Sequence, residues 1–258
     1  MHSLITDNDS TLMQEEILDE IARFAGTEAL QKIECITNSQ MNGIFSNKNP
    51  KLTFLQSLET RVNILVNYAI QQKQPITKSD LNQIAKTQMN FSENSEKLLQ
   101  KIIEKHGSLK SKFFIFSGGF KEIIFYKIDE LNISETEKKI LKNQTYANCF
   151  RFTENTNNSA ITGLDIQNSQ MLSETAKLDK TKFLIQNNLI EYNIKEDKKN
   201  KTIKIIGLGD GSNDVGMVPE KYGFCIAYTE HVYRENTVQK ANNITANNFT
   251  KVQKYLEN

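Results

Sequence analysis

Two short apolar runs, one near each end of the chain, each stop in a cluster of carboxylates, and this pairing restricts the fold more than any other feature. The first reads Leu4-Ile5-Thr6-Asp7-Asn8-Asp9-Ser10-Thr11. The second reads Ile205-Ile206-Gly207-Leu208-Gly209-Asp210-Gly211-Ser212-Asn213-Asp214. Each run has the continuous apolar character of a parallel strand buried on both faces. In an open α/β sheet, ligands bind outside the carboxyl ends of the strands. If both runs are central strands, Asp7, Asp9, Asp210 and Asp214 converge at one edge. Four carboxylates that close raise one another's pKa unless a cation sits among them. Hard oxygen ligands with few other donors favour magnesium. The sequence therefore predicts an α/β fold carrying a carboxylate site for Mg2+.

The stretch between the clusters changes character partway. From Leu12 the pattern turns helical: Ile17, Leu18, Ile21, Ala22 and Ala25 share a face, and Gly26 ends it. Residues 27–42 read as a second helix closed by Gly43, and residues 51–70 as a third. After Pro75, a helix over 77–89 opens on an N-cap at Thr77. Another covers 95–106 and stops at Gly107. Residues 12–90 thus read as all helical. The strand signal returns at 112–116, which leads into Ser117-Gly118-Gly119. Residues 146–152 read as a strand, and the turn-rich stretch 155–159 leads toward Ile161 as a hairpin with a long loop. A helix over 180–190, a strand over 202–206 and a short strand over 223–228 follow. The expected architecture is an α/β sheet domain interrupted after its first strand by a helical insert.

Composition excludes several classes. Charged residues make up 24% and hydrophobic residues 38%, which fits a globular chain rather than a disordered one. Net charge is +1 with dispersed basic residues, so no nucleic-acid partner is expected. No apolar segment approaches the length of a membrane span, and no basic region with an apolar core opens the chain. Cys35, Cys149 and Cys225 are odd in number and widely spaced, which reads as buried free thiols in a reducing compartment. His2, His106 and His231 lack zinc spacing. A cytoplasmic location is expected. The mixed run 195–201 reads as a solvated loop. Only Arg23, Arg61, Arg151 and Arg234 are arginine, against an abundance of lysine. An arginine kept under such a bias points to a need for its planar fork.

Several motifs carry chemistry. Asp7-x-Asp9 can divide into a nucleophile and a proton carrier, although turns are also rich in Asp. The Gly209–Asp214 loop lets backbone approach a ligand, and five of the chain's eleven glycines fall between 207 and 223. Its plainer reading is a hairpin turn. Ser117-Gly118-Gly119 offers a hydroxyl and backbone N–H groups for a phosphate, or an ordinary tight turn. Lys180, opening an amphipathic helix, can neutralise phosphate charge, and Lys177 is its near competitor.

In this order, these pieces resemble the haloacid dehalogenase superfamily, and within it the phosphoserine phosphatase family. The resemblance rests on Asp7-Asn8-Asp9-Ser10-Thr11-Leu12, the helix from Glu15 to Ala22, Phe54 to Val62, Ser117-Gly118-Gly119-Phe120, Tyr146-Ala147-Asn148 and Gly209 to Asp214. It spans nearly the whole chain. It implies a Rossmann-like three-layer core with a parallel sheet over 1–13 and 90–258, plus an inserted helical cap of C1 type over 14–89. It implies hydrolysis of O-phospho-L-serine to L-serine and phosphate through an aspartyl-phosphate. Asp7 would be nucleophile, Asp9 general acid and then base, and Lys180 and Ser117 would hold the phosphoryl group with Gly118 and Gly119. Mg2+ would be held by Asp7, Asp9 through its carbonyl, and Asp210, with Asp214 and Asn213 in support. Glu16 would meet the substrate ammonium, Arg61 its carboxylate, and Phe54 would close the pocket. The resemblance also implies a small phosphorylated amino acid as the partner. Other readings are the same chemistry on another small phosphorylated metabolite, or a non-catalytic binding protein. The chain departs from the family pattern at Asn8, where an apolar residue is usual, and in the insert 195–201 between Lys180 and Asp210.

Overall fold

A computed structural model describes residues 1–42, 51–154, 156–193 and 202–258, with the side chains of 41 and 42 excepted. In chain order its elements are β1 (Ser3–Thr6), α1 (Ile17–Ala25), α2 (Thr27–Asn42), α3 (Phe54–Gln71), α4 (Lys78–Gln88), α5 (Ser95–His106), β2 (Phe113–Phe120), α6 (Lys121–Glu130), α7 (Glu135–Asn143), β3 (Thr145–Asn148), β4 (Phe150–Phe152), β5 (Ile161–Leu164), α8 (Ala176–Gln186), β6 (Ile205–Gly209), β7 (Gly223–Tyr228), α9 (Glu235–Lys240), β8 (Thr245–Ala246) and α10 (Phe249–Glu257). Gly43, the insert 195–201 and Asn155 lie outside the described residues.

Six strands form a parallel sheet in the order β3-β2-β1-β6-β7-β8, so the expected α/β core with a parallel sheet is present. The apolar runs make this possible because both faces of every central strand are covered. Leu4, Phe113, Ile115, Ile206 and Ile226 point into one hydrophobic layer, and Ile5, Phe114, Phe116, Ile205 and Ala227 into the other. The first layer is completed by side chains of α1, α4, α5, α6 and α10; the second takes Leu184 and Ile185 of α8 and Val238 of α9. Strand alternation thus creates a three-layer core. Each fully buried Leu, Ile or Phe adds about 1.5–3 kcal/mol to that core.

The helices between β1 and α5 pack on one another, α1 against α2, α3 and α4, while α4 also meets α6. Helix starts follow local chemistry. Thr53 and Thr77 each accept a backbone N–H three residues on, and Gln56 and Asp80 return the bond to complete capping boxes. Gly107 ends α5 at φ +78°. β4 and β5 form a separate antiparallel hairpin, which touches the insert through an isolated bridge from Thr77 to Ala160.

Several boundaries differ from the sequence reading. The helical pattern read from Leu12 starts later: residues 8–12 form a turn in which Asp9 and Ser10 leave helical geometry, and α1 begins only at Ile17. The run 146–152 is two strands in two sheets, since the chain leaves the main sheet after Asn148. Strand β2 continues through Ser117-Gly118-Gly119. Helix α8 starts at Ala176, so Lys180 lies inside it rather than at its start. Helices α6 and α7 occupy a stretch for which the sequence reading names no element. Of the three cysteines, none is in a disulfide, but only Cys225 is buried; Cys35 is exposed. Among the described residues no helix is long and apolar enough to cross a membrane.

Candidate active site

Strand register sets the site. Thr6 pairs with Ile115 on one side and Leu208 on the other, so Asp7 leaves the end of β1 level with Phe116 of β2 and Gly209, the last residue of β6. β2 and β3 run to one side of β1, and β6, β7 and β8 to the other, so the strand order reverses beside β1. That is the topological switch point, where such sheets hold ligands.

Asp7, Asp210 and Asp214 come together there, each buried, with one carboxylate oxygen from each within 4.8 Å of the others. Asp7 is anchored by its N–H to the Leu208 carbonyl at 2.7 Å. Asp214 Oδ2 accepts the Gly211 N–H at 2.8 Å, so the glycine-rich loop folds over its own last carboxylate. Gly209 is required for this: a Cβ there would lie 2.3 Å from Asp214 Cβ. Asn213 is exposed on the same loop.

Lys177, not Lys180, reaches the cluster. Its Nζ donates to Asp7 Oδ1 and Asp214 Oδ1, both at 2.5 Å. Lys180 lies elsewhere, with its Nζ 4.4 Å from the Tyr146 ring centroid and 5.0 Å from that of Phe183. The two lysines are three residues apart on α8, so they project from one side of the helix nearly one turn apart, and the earlier turn is the one that meets Asp7. A second cation was not singled out by the sequence reading: Arg234, just before α9, pairs with Asp210. The scarcity of arginine applies to it as much as to Arg61.

Charge within the cluster is unbalanced. Burial and the Asp214 charge push Asp7 up to about 7, with Lys177 opposing. Burial, Asp7 and Asp214 push Asp210 up to about 8, with Arg234 opposing. Burial alone would lower the Lys177 ammonium, but Asp214 and Asp7 outweigh it and raise it. Three buried carboxylates, two of them on the Lys177 ammonium and the third on Arg234, form a hard, oxygen-only donor set that a divalent cation suits.

Asp9 faces the other half of the site. Burial, then the charges of Glu16 and Asp7, raise its carboxyl well above the ordinary range. Gly119 lets this carboxylate lie against the strand: a Cβ there would stand 2.9 Å from Asp9 Oδ2 and from Ile17 Cδ1. Ser117 Oγ accepts the Gly119 N–H at 2.8 Å, which engages that N–H and leaves the hydroxyl proton to donate elsewhere. Asn148 Nδ2 braces the Gly118 carbonyl at 2.9 Å. A Cβ on Gly118 would meet Phe54 Cζ at 3.5 Å, which places the Phe54 ring over this turn.

The helices after β1 carry two further residues that the sequence singles out. Glu16, at the start of α1, accepts Ser10 Oγ at 2.9 Å. Arg61 on α3 turns its Nη1 to Thr37 Oγ1 of α2 at 3.4 Å and its Nε to the Ser57 carbonyl at 3.4 Å. Burial lowers the Arg61 guanidinium, while Glu16, Asp19 and Asp9 act against that shift. Burial and Glu16 in turn push Asp19 up to about 6. The Glu16 carboxylate and the Arg61 guanidinium thus come from the helical stretch after β1 and lie within electrostatic reach of Asp9.

No family model matches the chain. It is similar to phosphoserine phosphatase of Methanocaldococcus jannaschii, 27% identical over 228 residues that cover 87% of this chain and 84% of the relative. With the Bos taurus phosphoserine phosphatase it shares 24% over 235 residues, 91% and 84% of the two chains. A solved phospho-aspartyl intermediate analogue of phosphoserine phosphatase superposes with a TM-score of 0.67 at 22% identity, covering 99% of this chain and all (100%) of that one. A phosphoserine phosphohydrolase-like protein from Francisella tularensis gives a TM-score of 0.68 at 24% identity, covering 99% and 100%. The sequence relatives and the shared fold agree: the chain is similar to phosphoserine phosphatases, and this likeness supports a phosphoserine-phosphatase-like phosphoric monoester hydrolase of the haloacid dehalogenase type.

Proposed function

We propose that the chain hydrolyses O-phospho-L-serine to L-serine and phosphate through an aspartyl-phosphate on Asp7, with Mg2+ as cofactor, as the last step of serine biosynthesis in the cytoplasm. One observation carries this reading: Asp7 is buried at the switch point with Lys177 on one of its oxygens and Asp210 and Asp214 beside it. The names of the sequence relatives support the substrate.

In this reading the carboxylates of Asp7 and Asp210 and the Asp9 carbonyl would hold the magnesium, with Asp214 and Asn213 in support. When bound, the ion supplies positive charge that keeps Asp7 ionised and offsets charge on the phosphoryl oxygens. Lys177 and Ser117 Oγ, with Gly118, hold those oxygens; Lys177 takes the role that the sequence assigned to Lys180. Asp7 attacks phosphorus as the ester P–O bond breaks, and Asp9 gives its proton to the departing serine oxygen. Water then attacks the aspartyl-phosphate, Asp9 takes the water's proton, and the Asp7 carboxylate is restored. Burial and like charges raise the Asp9 pKa, which suits a group that must begin protonated. Glu16 meets the substrate ammonium, Arg61 its carboxylate, and Phe54 and the insert, the proposed cap over 14–89, exclude water.

The deciding measurement is phosphate release from phosphoserine, phosphothreonine and sugar phosphates, with and without magnesium, for the native chain and Asp7→Asn. Magnesium-dependent release, greatest for phosphoserine and abolished by Asp7→Asn, is expected. Release greatest from a sugar phosphate would overturn the substrate, and release that survives Asp7→Asn would overturn the covalent route.

A further inference from the structure

Asn8 stands between the two acidic residues of the first cluster, and its side chain has no solvent exposure. Its Nδ2 donates to Asp9 Oδ1 at 2.7 Å. The other end of the same amide, Oδ1, is buried with no hydrogen-bond partner. An apolar side chain of similar size would fill this position without desolvating an acceptor. The amide therefore carries a cost that packing does not explain, and its one hydrogen bond goes to Asp9. That bond distinguishes the two oxygens of Asp9. Both oxygens lie beside Gly119, 2.9 Å (Oδ2) and 3.1 Å (Oδ1) from a Cβ built there, but it is Oδ1 that the amide holds, which leaves Oδ2 the oxygen not engaged by Asn8.

We propose that Asn8 is a positioning residue for proton transfer: its amide holds Asp9 Oδ1 so that Oδ2 is the oxygen that gives and takes the proton. This rests on the reading of Asp9 as general acid and base. In the first step the Asp7–phosphorus bond forms and the ester bond breaks. The ester electron pair goes to the serine oxygen, which takes the proton from Asp9 Oδ2. In the second step a water oxygen bonds to phosphorus, its proton passes to Oδ2, and the Asp7–phosphorus bond breaks. A carboxyl free to rotate would present the wrong oxygen for part of the time, and misplacement of this size lowers rate.

The test compares leaving groups. The ratio kcat/KM reports the steps up to departure of the leaving group. A serine alkoxide needs a proton to leave, and p-nitrophenolate does not. Asn8→Leu and Asn8→Met are measured on phosphoserine and p-nitrophenyl phosphate beside Asp9→Asn, with a thermal melt of each. Both Asn8 variants should lose roughly tenfold or more in kcat/KM on phosphoserine, part of the effect of a general acid. They should retain their activity on the aryl phosphate and melt at or above the native temperature. Selective loss in Asp9→Asn with unchanged Asn8 variants overturns the role of Asn8. Equal loss on both substrates in the Asn8 variants, with a lowered melt, reduces Asn8 to a packing residue and also overturns it. If Asp9→Asn shows no selective loss, the reading of Asp9 itself fails.

Discussion

The Lys177 ammonium lies 2.5 Å from the Asp7 carboxylate, and this contact selects which turn of α8 serves the site. Lys180, on the same helix, spends its charge over the Tyr146 and Phe183 rings. Lys177→Met should therefore lower kcat/KM for phosphate release by about a hundredfold or more, the scale of losing one preorganised charge at a transition state. Lys180→Met should leave it near the native value. Phosphate release by the two variants checks this, and the reverse pattern would return the role to Lys180.

Two glycines should fail for different reasons. At Gly209 a Cβ would stand 2.3 Å from Asp214 Cβ and 2.5 Å from its Cγ, so Gly209→Ala displaces a carboxylate of the cluster. A loss of about 1–3 kcal/mol in stability is expected from such overpacking, together with most of the activity. At Gly107 a Cβ meets nothing within 4 Å, but φ is +78°. Gly107→Ala should cost about 1 kcal/mol from backbone strain alone and leave activity intact. Urea unfolding and phosphate release separate the two. Equal activity in both variants would contradict the close approach at Gly209.

How much of this was legible in the sequence follows from which signals are local. β1 and β6 were readable because burial on both faces leaves an uninterrupted apolar run, and each run points its next carboxylate into the site. The glycine-rich loop was readable because it follows a buried apolar run directly, which favours a ligand-binding loop over the hairpin turn that is its plainer reading. The choice between Lys177 and Lys180 was not, because both lie on one side of one helix and only the packing of α8 along the sheet decides which turn meets Asp7. Arg234 was missed because its partner Asp210 is 24 residues away in sequence, across β7 and the following loop. β3 and β4 merged into one strand because nothing in the pattern at Cys149 marks a change of sheet.

Metal binding and pH should be linked through the cluster. Asp7 and Asp210 sit near 7 and 8 in the fold, against 3.8 for an unperturbed aspartate. Both are raised, so their contribution to the stability of the metal-free chain is fully present below that ordinary value. It is lost as pH rises through 7 to 8. Magnesium binds the ionised carboxylates and competes with those protons. Added Mg2+ should raise the melting temperature more at pH 8 than at pH 6, because a smaller apparent Kd gives a larger stabilisation. Thermal melts with and without magnesium at the two pH values test it, and equal shifts would count against Asp7 and Asp210 as ligands.

A second pH effect should arise outside the cluster, at Glu122 in the first turn of α6. Its Oε1 accepts the Phe150 N–H at 3.1 Å, while Oε2 is buried with no partner. Burial pushes this carboxyl up to about 7 from 4.5, against the opposing Phe150 N–H, Lys121 and Lys78. A raised carboxyl means that the folded chain holds a proton the unfolded chain has released. The stabilising contribution is complete below 4.5 and disappears as pH rises through 7. Glu122→Gln cannot ionise, so it should lack this slope and gain on the native chain as pH rises. With about 1.4 kcal/mol for each unit of displacement, the relative gain between pH 5 and pH 8 is on the order of 2 kcal/mol. Urea unfolding of both proteins at the two pH values measures it. A difference between them that stays constant with pH would show that Glu122 is ionised throughout, held by the lysines rather than by burial.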